Sequence, residues 1–317
     1  MLTLSRTRPF TKYLKRVGNS TFHINSSYIG LEWIARGKGK PDGMEISWSE
    51  PKNPKTSVDQ SRMLLHAAML GYVFDCTDSY LRLLADIGWL KLSDIQRNIL
   101  RKSVTRPGGK EYAIWERFES LEITLEGERE EERKTDLAMV RVLSVWRNKV
   151  SHQGLEGRGE IRLDDTVKAH LLAAETYLAS RYGGLSAHEM FEQISGDTSP
   201  RRKEIIGLVS ASVNLTRLVD EELVANAIKS ERDLQSVAVA AISEALSKAE
   251  TNIESVVRRL WGMNEGARAR RFTAILEEAG FKKAVASVGL PDDFAQELAH
   301  KKLDAILQVL DAVGPGQ

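Results

Sequence analysis

Arg147, Asn148, Ser151 and His152 fall within one short run, Trp146-Arg-Asn-Lys-Val-Ser-His-Gln-Gly154. A guanidinium can hold two phosphate oxygens in a fork that an ammonium group cannot reproduce. An imidazole titrates near neutral pH and can serve as base or acid. Cleaving RNA without a metal needs three things. The 2′-hydroxyl must lose its proton, charge on the phosphoryl oxygens must be neutralised, and the leaving 5′-oxygen must be protonated. One imidazole cannot begin in both protonation states. A two-fold homodimer with two copies of His152 around one phosphate would supply base and acid together.

The element that must position these groups is a helix predicted from about Thr135 to Ser151. At the helical period, Met139, Leu143, Trp146 and Val150 share one apolar face, which places the helix at the centre of a bundle. Taking Arg147 as zero, Ser151 lies at about 40°, Ser144 at about 60°, Asn148 at about 100°, Arg141 at about 120° and His152 at about 140°. Asn148 is one turn from His152, close enough for its amide to orient the ring. Ser151 and Arg141 are candidate substrate contacts, and Arg141 can equally be a solvated part of the helix face. The competing structural reading pairs Arg147 with an acidic residue of a neighbouring helix and leaves His152 as a cation at the helix C-terminus, where the dipole favours it. Asp75 and Asp78 could orient Arg147, against an ordinary Asp78–Arg82 pair at i,i+4. His66, inside an apolar helix, reads as a satisfied core residue. Trp33, Trp48 and Trp89 could stack unpaired bases, with packing as the default for each.

Arg147-Asn148-x-x-x-His152 resembles the Arg-Asn-x3-His motif of HEPN domains (higher eukaryotes and prokaryotes nucleotide-binding). The resemblance implies a four- or five-helix bundle in which the motif ends a late helix. It further implies a metal-independent endoribonuclease of the bacterial toxin or antiphage type that acts on RNA as a homodimer. By the same carry-over Arg147 and His152 are the catalytic pair and Asn148 the supporting polar residue. No cofactor is expected, and a nuclease of this kind calls for an antitoxin or another regulatory partner. Other members of the family are non-catalytic bundles that bind a nucleotide or a partner protein, which is the alternative reading. The resemblance covers the motif and, more loosely, the helical pattern of residues 58–185.

Composition sets the frame for this reading. The chain has 317 residues, 28% charged and 42% hydrophobic, with a formal net charge of +1, which suits an ordinary globular protein of roughly two domains. No apolar run approaches a membrane span, and the N-terminus lacks the apolar stretch of a secretory signal, so a cytoplasmic protein with no membrane partner is expected. The single Cys76 excludes an intramolecular disulfide and a Cys-rich zinc site. No metal site is expected, since the six histidines are scattered. No phosphate-binding P-loop and no Gly-x-Ser-x-Gly elbow occurs, Gly37-Lys-Gly39 lacks a dinucleotide-site context, and His188-Glu189-x-x-Glu192 lacks a second histidine.

Three segments follow from the texture of the chain. Residues 1–57 carry ten Lys and Arg against four Asp and Glu, and the stretches at 37–43 and 49–57 are rich in Gly, Pro, Asn and Ser. An irregular basic segment with a short hairpin is expected there, either lying along a phosphate backbone or forming a solvated arm. Residues 58–195 read as an all-α, HEPN-like helical bundle. It comprises a helix of about 28 residues from Val58, one capped by Ser93 with Gln96, one from about Glu111 to Glu126, the motif helix, one over Asp165–Tyr182, and a short one capped by Ser186. The charged run 127–134 reads as a connection or an exposed helix face. The stretch 196–203 is the expected boundary, and residues 200–317 read as a second helical domain with a regulatory or oligomerisation role.

Overall fold

Residues 1–151, 163–196, 200–247, 253–283 and 288–311 are described by a computed structural model. Among them, fourteen helices and one two-stranded sheet make the protein all-α. The chain opens with β1 (Leu2–Leu4), and then, where an irregular segment is expected, runs into α1 (Arg8–Ala35). Thr7 caps this helix by accepting from the Phe10 N–H, and Pro9 stands in the first turn, where its missing donor costs nothing. Phe10, Tyr13 and Val17 supply the buried face.

α2 (Pro54–Ala85) packs antiparallel along α1, and Met69, Leu70, Val73, Cys76, Tyr80, Leu81, Leu84 and Ala85 form its buried face. His66 is the core histidine expected: its Nδ1 donates to the Pro200 carbonyl at 2.7 Å and its Nε2 accepts from the Tyr28 hydroxyl. α3 (Asp94–Arg101) carries the Ser93/Gln96 capping box and ends at Lys102 in the left-handed region. α4 (Ile114–Glu119) is shorter than expected. Beyond it Leu121, Ile123 and Leu125 are buried while Glu122, Thr124 and Glu126 are exposed, a period of two that suits extended chain rather than helix.

α5 (Gly127–Ser151) is the motif helix, and the charged run 127–134 is its exposed first two turns. The expected fifth helix is broken at Ala174 into α6 (Asp165–Ala173) and α7 (Glu175–Arg181), followed by α8 (Ala187–Ser195) with Ser186 as its cap. Of the expected boundary at 196–203, residues 197–199 lie outside the described residues.

The following helix, α9 (Arg202–Ala227), packs against α5, α2 and α1, and Ile205, Leu208, Ala211, Leu215 and Val219 lie in the same core as Trp146. It is buried on most sides, as its near-continuous apolar sequence requires. Core membership thus differs from the sequence division: the residues of α9 join the first core. The second core comprises α10 (Glu231–Ser247), α11 (Ile253–Trp261), α12 (Glu265–Ala279), β2 (Phe281–Lys283), α13 (Phe294–His300) and α14 (Leu303–Asp311).

The first thirteen residues join the two cores. β1 pairs antiparallel with β2, so Leu2 and Leu4 enter the second core, while Phe10 and Tyr13 enter the first. At the junction, the Thr7 N–H donates to Asp220 Oδ2 at 2.7 Å, and the Thr7 and Tyr80 hydroxyls donate to Asp220 Oδ1. Gly280 ends α12 at φ +111, where a Cβ would stand 2.7 Å from the Arg6 carbonyl oxygen, so only glycine lets α12 turn directly into β2.

Two buried carboxyls make stability pH-dependent. Burial pushes Asp220 up to about 6 and Asp136 up to about 7. Asp136 accepts from the Tyr182 hydroxyl at Oδ1, while its buried Oδ2 has no hydrogen-bond partner. Glu132 adds to the upward shift, and Arg181 and Arg217 oppose it. The folded state therefore binds these protons more tightly than the unfolded chain does. The stabilisation is complete below about pH 4 and is lost as pH rises through 6 to 7, at up to about 1.4 kcal/mol per pH unit for each group. Thermal melts from pH 4.5 to 8 are expected to show a shallower decline in Tm for Asp136→Asn than for the wild type. Parallel curves would remove Asp136 as the source.

Candidate functional site

α5 is buried on most sides over its middle turns and opens again toward its C-terminal end. Met139, Leu143 and Trp146 are fully buried against α2 and α9, which fixes the rotation of the helix and turns Arg147 and Asn148 to a half-buried side. Lys149 Nζ donates to the Ile194 carbonyl at 2.6 Å and ties the end of α5 to α8. Ser144, on the predicted polar sector, is buried and donates back to the Val140 carbonyl at 2.9 Å, so it belongs to the helix rather than to the site.

The Arg147 guanidinium lies over the ring of Phe74 on α2, 4.9 Å from the centroid, and its Nη1 donates to Asn148 Oδ1 at 3.1 Å. Its Nε is buried and has no hydrogen-bond partner. Several other arginines on α3, α5 and the segments between them are differently placed. Arg101 pairs with Asp86, Arg106 with Glu116, Arg117 with Asp78, Arg133 with Glu130 and Arg141 with Glu119. Among the described residues no carboxylate pairs with Arg147, so the competing reading that neutralises it with a neighbouring acid has no support in the structure.

The other candidates separate. Arg141 Nη2 donates to Glu119 Oε1 at 2.6 Å, and its guanidinium lies 3.8 Å from the Trp115 ring centroid. Its charge and its flat face are both engaged, and it fastens α4 to α5. Asp75 is exposed, and Asp78 faces Arg117, Lys102 at 3.0 Å and Arg82 at 2.8 Å rather than Arg147. The expected Asp78–Arg82 pair is present. Its deeper partner is the wholly buried Arg117, which also donates to the Leu100 carbonyl. Burial raises the Asp78 carboxyl, but the charges of Arg117 and Lys102 outweigh it and hold the group below its ordinary range. His152 lies outside the described residues, as do Gly154, Gly157 and Gly159; for Ser151 the helix is described but not its side chain. Of the tryptophans, Trp89 packs against both cores, whereas Trp33 is about half exposed.

Phe74 is the one member of the site that sequence reasoning does not single out. Nothing in its own segment says that it supports a side chain of α5. Among the described residues, no group of three or more His, Cys, Asp or Glu could hold a metal ion, and no helix is long and apolar enough to cross a membrane.

The arrangement offers a fixed, flat cation with unspent donors at the end of a rigid helix. Such a group binds phosphate or carboxylate bidentately and stacks on planar bases. Compared with family models, curated proteins and solved structures, the chain matches none.

Proposed function

We propose that the protein is a metal-independent endoribonuclease of HEPN type, acting as a homodimer. The observation that supports this most is the Arg147 guanidinium: supported on Phe74, restrained by Asn148 and unpaired with any described carboxylate.

In the proposed reaction neutral His152 of one copy takes the proton of the 2′-hydroxyl. The 2′-oxygen attacks phosphorus and the P–O5′ bond breaks. The protonated His152 of the other copy supplies the proton that the 5′-oxygen takes up. The products are a 2′,3′-cyclic phosphate and a 5′-hydroxyl. Arg147 neutralises charge on the non-bridging oxygens, Asn148 limits its swing, and Ser151 is left as a candidate substrate contact. Arg141, already engaged with Glu119, contributes by holding α4 in place. Toxicity or phage defence under an antitoxin or another regulatory partner is the biological setting this reading carries. The alternative, a non-catalytic bundle that holds a nucleotide phosphate with the same arginine, draws on the same observation.

Incubation of the purified protein with total RNA in EDTA, beside Arg147→Ala and His152→Ala, tests the proposal. Expected is cleavage that persists in chelator and is lost in both variants. Nucleotide binding that depends on Arg147 without any cleavage would favour the alternative. Equal behaviour of all three proteins would remove both.

A further inference from the structure

Away from the motif, the C-terminal half of α1, the N-terminal half of α2 and residues 39–48 enclose an open groove of about 960 Å³. Leu31, Ile34, Leu65 and Trp48 form half-buried parts of its wall. Ile29 and Leu64 on its walls are each 74% exposed. Side chains this large and this apolar, gathered at one place, mark a binding surface rather than ordinary scatter. The volume lies at the upper end of the roughly 300–1,000 Å³ found for small-molecule sites, which are likewise mostly apolar with few polar groups. Lys40 is the only charged residue among those lining it, and its Nζ donates weakly, at 3.5 Å, to the Ile46 carbonyl.

We infer that this groove binds an amphiphile with a long apolar body and a single anionic group, a long-chain carboxylate being the simplest, with the head against Lys40. Three observations select this occupant. The walls offer one cation and almost no other polar group, which matches one anion on an otherwise apolar molecule. The site is concave, and a two-fold contact sets the same patch against itself, so two hollows would face each other and leave a void. Residues 29–65 carry Arg36, Lys38, Lys40, Lys52, Lys55 and Arg62 against Glu32, Asp42, Glu45, Glu50 and Asp59, so the rim is close to charge-balanced and lacks the strong positive excess that an anionic bilayer attracts. The inference does not rest on the ribonuclease reading, since the groove shares no residue with the motif or with Phe74.

Titration of the full-length protein with laurate below its critical micelle concentration and with dodecanol below its solubility limit tests it through calorimetry and tryptophan emission, to which Trp33 and Trp48 contribute. Expected is saturable one-to-one binding of laurate, about tenfold tighter than dodecanol, with affinity rising roughly fourfold per methylene from C8 to C12. Leu64→Asp and Ile29→Asp, at positions exposed enough to leave the fold intact, should each weaken laurate at least tenfold. Lys40→Ala should bring laurate and dodecanol to the same affinity. The inference is overturned by the absence of saturable binding, by unchanged affinity in Leu64→Asp, or by binding to anionic vesicles only. A dimer that Leu64→Asp dissociates and that takes up no laurate would assign the groove to a second copy and overturn it equally.

Discussion

Arg147→Lys is expected to lose RNA cleavage by about 10²–10³-fold while melting within a few degrees of the wild type. The two readouts separate because the side chain is half-buried and, among the described residues, makes one hydrogen bond, to its neighbour Asn148, together with the contact to Phe74. Lysine keeps the charge but loses the flat fork and the stacking on Phe74, and it becomes a point charge on a flexible stem. Rates at saturating RNA should carry most of the loss, because the charge on the non-bridging oxygens is greatest in the transition state. Wild-type rates in Arg147→Lys would end the bidentate role, and a large fall in Tm would show that the arginine is structural. Phe74→Leu is expected to reduce cleavage in the same direction by about tenfold, since it removes the platform and leaves the donors.

The largest expected loss of stability comes from Asp78→Ala, at about 3–5 kcal/mol in urea unfolding. Arg117 is fully buried, and its charge is compensated by Asp78 and one carbonyl oxygen, with its Nε unpartnered. Removing the carboxylate strands that charge in the core and also releases Lys102 and Arg82. The double variant Asp78→Ala/Arg117→Met should recover most of the loss, because it removes both charges and keeps the apolar volume. Cleavage per folded molecule should be unchanged in either, as Asp78 does not contact Arg147. A cleavage defect in Asp78→Ala at a temperature where it is folded would instead restore Asp78 as a group that orients the arginine.

Local signals account for most of the helices. Ser93 with Gln96 forms a reciprocal capping box contained in four residues, whereas at Ser186 only the serine half forms, because the Glu189 carboxylate is taken by Arg201. The stripe Met139, Leu143 and Trp146 repeats at the helical period and is buried as the period requires. α1 is the clearest departure. Its Gly18, Gly30, Asn19 and serines lower helix propensity, and composition points to loop, yet Phe10, Tyr13, Val17, Ile24, Tyr28 and Leu31 keep the spacing of a helix face. Packing along α2 outweighs weak propensity. The extended chain after α4 misleads in the opposite way, because Leu121, Ile123 and Leu125 alternate at a period of two that a reading by composition overlooks.

The sequence by itself determined an all-α protein and the place of Arg147 and Asn148 near the end of a central helix. These are properties of residue type and of spacing along one segment, and short-range geometry transmits them without reference to the rest of the chain. Only the tertiary structure decided which charges are already engaged. It took Arg141 to Glu119 and Trp115, took Asp78 to Arg117, set Phe74 beneath Arg147 and left that guanidinium without a described acid. It also placed α9 in the first core and tied the N-terminus to both cores through Thr7 and Asp220. Each of these pairs residues far apart in sequence, and which partner a side chain meets depends on how helices pack, a choice that no local pattern encodes.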